Sequence, residues 1–143
     1  MAWFKSWLGV RASMPTEIDR VGVVAESFSA LTLAGVPVAD FHDHPRKQKD
    51  AVAFHFGAID YLAERHAIDD TMVLVLYVRF MQRHPLVATQ DLGSVSALMG
   101  EIAHDEECRR FAQAGREAVE RWSQHADESA PGRLAQLLRR VGG

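Results

Sequence analysis

Asp69-Asp70-Thr71-Met72-Val73-Leu74-Val75-Leu76-Tyr77-Val78-Arg79-Phe80-Met81-Gln82-Arg83-His84-Pro85 decides the fold class. Its centre, Met72 to Val78, is apolar all round. A run of that kind suits a buried strand as well as a buried helix, because it has no polar face to set a period. Read as a helix, it leaves the whole chain α-helical. Two signals favour the helix. Asp69 and Asp70 stand where a helix N-terminus takes an acidic cap, and Pro85 comes after more residues than a strand of ordinary length needs. The stretch therefore predicts a helix over Thr71–His84, buried at the centre of the fold, with its β-branched valines as the argument against.

Outward from there, both flanks read as helices. Upstream, Ile18, Val21, Val24, Ala25, Phe28 and Leu31 recur near a period of 3.6. They predict a helix from Thr16 to Ala34, with Ser13 as cap, Pro15 in the first turn and Gly35 with Pro37 as the stop. Pro45 opens a second helix, Arg46 to Ala67, apolar on two sides: Val52, Phe56, Ile59 and Ala63 on one, Ala51, Phe54, Ala58 and Tyr61 on the other. A helix with two apolar sides touches two neighbours, or one neighbour and a partner chain. Downstream, Leu92, Val95, Leu98, Met99 and Ile102 form a stripe that starts near Thr89 or Asp91 and breaks near His104. Asp105, Glu106 and Glu107 then place acids at the positive end of a fresh helix dipole, and Cys108, Phe111, Ala118, Val119 and Trp122 continue the stripe. A polar linker over 124–130 leads to a last short helix with Leu134, Leu137, Leu138 and Val141 on one side.

These pieces predict an all-α fold: one domain over 1–143, a compact bundle of about five helices with short amphipathic helices at both ends. The 143 residues are enough to bury a core without staples. Sixteen basic against nineteen acidic residues leave a formal charge of −3, with none of the basic excess of a nucleic-acid binder. The one cysteine, Cys108, rules out an intrachain disulfide. No apolar run approaches the length of a membrane span, and residues 1–10 are too weakly apolar for a secretory signal. The expected compartment is the cytoplasm.

The candidate chemistry is sparse. Glu101-Ile102-Ala103-His104 places a carboxylate and an imidazole at i and i+3 on one helix face, the spacing with which two ligands hold one ion, and Asp105 follows. Ferritin-like di-metal proteins use that pair twice with added glutamates; here it occurs once, with Glu26, His55 and Glu64 as the outside donors available. A transition metal at Glu101, His104 and Asp105 is one reading; an ordinary solvated face is the other. His42-Asp43-His44 reads as a cap for the helix opened by Pro45, or as a partial zinc set. Arg46, Lys47 and Lys49 form a small basic patch that could touch phosphate. Cys108, His55 and His66 read as structural, and no catalytic residue is assigned.

Surface for association is more visible than chemistry. Trp3, Phe4, Trp7 and Leu8 share one side of an N-terminal arm over 1–12. The arm could pack on the domain, on a second copy, or on a membrane interface. Phe54 and Tyr61 lie on the second apolar side of the Arg46–Ala67 helix. Together they point to a protein-interaction or homo-oligomerisation module without catalysis. The metal-binding protein and the peripheral membrane protein stand as alternatives.

Overall fold

A computed structural model describes residues 9–37, 43–87 and 91–140, with side chains from residue 17 onward. Among these residues every regular element is helical: α1 Gly9–Ala34, α2 Pro45–Arg65, α3 Asp70–Arg83, α4 Leu92–Ala103, α5 Glu106–His125, a 3₁₀ turn Ala130–Gly132 and α6 Arg133–Arg140. The all-α expectation holds. The arm residues Trp3, Phe4, Trp7 and Leu8 lie outside the described residues, as does His42 of the His42-Asp43-His44 loop.

The stretch that decides the class is α3. The side chain of Asp69 accepts the backbone N–H of Met72 at 3.1 Å, which satisfies one of the donors a helix start leaves open. Its burial has a helical period: Val73, Leu76, Tyr77, Phe80 and Met81 are buried, while Leu74, Val75 and Val78 are only partly covered. α3 is thus a one-sided helix and not the centre of the bundle.

The centre is α2. Residues 50–59 are all buried, so both of its apolar sides are used inside the chain. Phe54 stacks on Phe28 of α1 with ring centroids 6.2 Å apart, and Phe56 stacks on Tyr77 of α3 at 4.2 Å. The expectation that Phe54 and Tyr61 form a free side is therefore corrected. Phe54 has no exposure, and Tyr61 is half-buried beside the Arg116 guanidinium, 6.0 Å from its ring centre. The sequence pattern counted apolar sides correctly, but α1, α3, α5 and α6 of the same chain supply the neighbours.

α2 and α5 run in the same direction along a shared seam. Their starts are joined by Arg46 with Asp105 and Glu107, and their ends by Arg65 with Gln124. Midway, Gly57 faces the α5 backbone and Gly115 faces the α2 backbone. Where one backbone lies against the other, only glycine leaves room.

Other boundaries differ from expectation in instructive ways. α1 begins at Gly9 and continues through Ser13 and Pro15, so Ser13 is not its cap. Its buried line runs Ile18, Val21, Ala25, Phe28, Ser29 and Thr32, leaving Leu31 exposed. The break at His104 is where the sequence puts it: Asp105 caps α5 by accepting the N–H of Cys108 at 3.0 Å. α2 ends through Ala67, whose φ of 53° lies in the left-handed region. α6 closes the core with Leu134, Ala135 and Leu138. The described residues share one hydrophobic core to which α1 through α6 all contribute.

Candidate functional site

The metal reading requires donors to converge on Glu101, His104 and Asp105. They do not. Glu101 accepts from Lys49 Nζ at 3.0 Å. His104 follows the last turn of α4, and its Nδ1 lies 2.8 Å from the carbonyl of Gly100; a carbonyl only accepts, so Nδ1 carries the proton. Both oxygens of Asp105 receive Arg46, at 2.6 Å each, and one also caps α5. The guanidinium holds this carboxyl well below the usual carboxylate range. The outside donors are scattered. Glu26 faces His84 and Arg83, Glu64 faces Arg116, and His55 is buried against Phe80. Among the described residues no group of three His, Cys, Asp or Glu side chains is placed to hold an ion. The i, i+3 spacing is present, but the helix stops at the histidine and the neighbouring cations take the carboxylates.

Two of the three cations of the basic patch, Arg46 and Lys49, are likewise engaged within the chain. Arg46 Nε donates to Glu107 at 2.6 Å while its two terminal nitrogens hold Asp105, and Lys49 holds Glu101. A phosphate would have to displace these acids. His44 occupies the α2 cap position without a side-chain bond to the helix, so the capping role expected of the His42-Asp43-His44 loop is not made by His44.

Behind Arg46 lies Asp50, with no exposure. Its Oδ1 is 3.4 Å from Arg46 Nε and accepts from the Cys108 thiol at 3.6 Å; its Oδ2 meets no donor, and the Glu107 carboxyl lies within hydrogen-bonding reach of Asp50, a contact that only a protonated carboxyl can make favourable. Burial pushes this carboxyl up to about 7, with the neighbouring Glu107 acting in the same direction and Arg46 against it. Burial also pushes the Cys108 thiol up to about 12, so it is a protonated, enclosed group and no nucleophile. His55 is the other buried polar side chain of α2. Its Nδ1 donates to the carbonyl of Ala51 at 2.8 Å, and its ring stacks on Phe80 at 4.6 Å. Burial lowers it to about 4, so it is neutral at physiological pH.

A cleft of about 490 Å³ lies between α1 and α3. Ala25, Ile59, Leu76 and Phe80 form an apolar floor. Its two rims carry opposite charge. Asp19 and Glu26 project from α1; Arg79 and Arg83, one turn apart, project from α3. They meet loosely across the mouth, Arg79 to Asp19 at 4.0 Å and Arg83 to Glu26 at 3.4 Å, with both arginines more than half exposed. His84 adds a contact of 2.9 Å to Glu26. At the α1 lip Val23 is 67% exposed, the largest value among the bulky apolar residues described. Sequence reasoning missed this site. Asp19 and Glu26 are seven residues apart on α1, which is two turns on one face, and that spacing was the available signal. Nothing in sequence says which helix lies opposite.

No protein family, no curated protein and no solved structure matches the chain.

Proposed function

We propose that this chain is a non-catalytic homodimerisation module and that the α1–α3 cleft is its contact face. The observation that carries the reading is the division of charge between the two rims. A two-fold interface uses the same patch on both copies, so the patch must complement itself. An acidic α1 rim, Asp19 and Glu26, beside a basic α3 rim, Arg79 and Arg83, meets that condition. A two-fold axis along the cleft sets each rim against the opposite rim of the second copy. The exposed Val23 of one copy then reaches the Leu76–Phe80 floor of the other, and water leaves an apolar surface on both sides. Both arginines are more than half exposed and their pairs are long, so turning them toward the second copy sacrifices little, while Glu26 keeps its contact with His84.

Two other features bear on this reading. The second apolar side of α2 is internal and offers nothing to a partner. Trp3, Phe4, Trp7 and Leu8 directly precede α1 in the chain, and three of the four are aromatic, the residue type that dominates interface energetics. The cytoplasm remains the compartment we assign, in keeping with a single free thiol.

Sedimentation of the full chain tests the proposal. Wild type is expected to be dimeric, and Val23→Glu monomeric with unchanged helix content. Arg79→Glu/Arg83→Glu makes both rims acidic, and Asp19→Arg/Glu26→Arg makes both basic. Each is expected to be monomeric alone, and the two mixed are expected to form a heterodimer. A wild type that stays monomeric at high concentration, or a dimer indifferent to these changes, overturns the reading. Deleting residues 1–8 shows whether the aromatic segment contributes: a weaker dimer is expected.

A further inference from the structure

Arg46 stands at the start of α2 with one positive charge and three carboxylates around it. Three of its five N–H donors are committed, Nη1 and Nη2 to Asp105 and Nε to Glu107, all at 2.6 Å. Asp50 is left 3.4 Å from Nε with no hydrogen bond from the guanidinium, the weak Cys108 thiol as its donor, and one oxygen unmatched. The remaining charges nearby do not relieve it. Lys49 of α2 is taken by Glu101 of α4. On α5, Arg109 donates to the carbonyl of Ala103 and Arg110 to Glu106. Arg140 of α6 borders a small pocket that Arg110 and Glu107 also line. Four carboxylates (Asp50, Glu101, Asp105, Glu107) therefore share two close cations, Arg46 and Lys49. An ionised, half-satisfied carboxylate in a buried seam is expensive, and taking up a proton is the cheaper state.

We infer that Asp50 is a proton-operated latch on the α2–α5 seam: protonated, it lets the two helix starts close; ionised, it drives them apart and uncovers Cys108. The sign follows from linkage. In the closed seam Asp50 holds its proton up to about 7, whereas an exposed aspartate loses it near 4. Closing therefore binds a proton between these values, and the open population climbs with pH across that interval and levels off above it.

Cys108 is the chain's only thiol, has no exposure and touches Asp50, so it reports the opening directly. The experiment is the rate of thiol labelling in the whole protein for wild type, Asp50→Asn and Glu107→Gln. The wild-type rate divided by the Asp50→Asn rate removes the common effect of thiolate formation. This ratio is expected to grow roughly thirtyfold from about pH 5.5 to about pH 8.5, as the two proton affinities require. Glu107→Gln removes the like charge beside Asp50, and its rise is expected to be smaller and centred at lower pH. Backbone exchange around Tyr77 in α3, which packs on Phe56 and not on the α5 start, is expected to stay constant, which separates a local opening from loss of the whole fold. A flat ratio overturns the latch. Should Asp50→Asn fail to fold, Glu107→Gln against wild type carries the test, and an unchanged midpoint there overturns it equally.

Discussion

Gly57 and Gly115 make reciprocal backbone contacts across the α2–α5 seam. A Cβ built on Gly57 would lie 1.9 Å from the carbonyl oxygen of Ala112, and one on Gly115 would lie 1.9 Å from the carbonyl oxygen of Phe54. Both obstacles are backbone, which cannot swing aside as a side chain does. The approach of the two helices is therefore set by the missing side chains. It brings Asp50 against Cys108 at one end of the seam and Arg65 to Gln124 at the other.

Gly57→Ala is expected to destabilise the protein even though alanine is the better helix former by about 1 kcal/mol. The overlap forces the helices apart along the seam, and overpacking of this kind costs about 1–3 kcal/mol or more. The same sign is expected for Gly115→Ala. Urea unfolding midpoints check both. A rise in either midpoint would mean that the seam relaxes at little cost and that propensity decides.

His55 makes the fold sensitive to acid. Its folded form resists protonation down to about 4, while an exposed histidine takes a proton near 6.5. The unfolded chain thus binds more protons between those values. The contribution of neutral His55 is complete above about 6.5 and is lost as the pH falls toward 4. His55→Leu keeps an apolar side chain against Phe80 and removes the titration. Its melting temperature is expected to fall less than that of wild type between pH 7 and pH 4 in thermal scans. Equal falls would place the acid sensitivity elsewhere.

Leu138 shows that the basic tail belongs to the fold. It and Leu134 have no exposure, while Arg139 and Arg140 face outward. Leu138→Ala is expected to cost about 2–5 kcal/mol, the range for a leucine removed from a packed core. Calorimetry or denaturant titration reads this directly. A loss below about 1 kcal/mol would mean that α6 is a detachable segment.

Much of this molecule is legible residue by residue. The double aspartate before Met72 and the proline after His84 identify a helix where the valines alone suggest a strand. Asp105 marks a new helix because its carboxylate is placed to accept a backbone N–H three residues on, whatever lies nearby. Glu101 and His104 were read as a pair on the same kind of local evidence. That reading failed because a metal site depends on what other chains of residues bring to it. Lys49 and Arg46, more than fifty positions upstream, occupy the carboxylates instead.

The helices are legible in the chain because period 3.6, caps and stops are local properties, carried by hydrogen bonds that close within a few residues. The two apolar sides of α2 are legible for the same reason. Which neighbours cover them, that two glycines far apart in the chain meet at one crossing, and that an acidic edge of α1 lies across a cleft from a basic edge of α3 emerge only on packing. Those relationships depend on helix direction and crossing angle, which arise from the packing of the whole core. A periodic pattern records which face of a helix is buried, and the identity of what buries it is a property of the assembled fold.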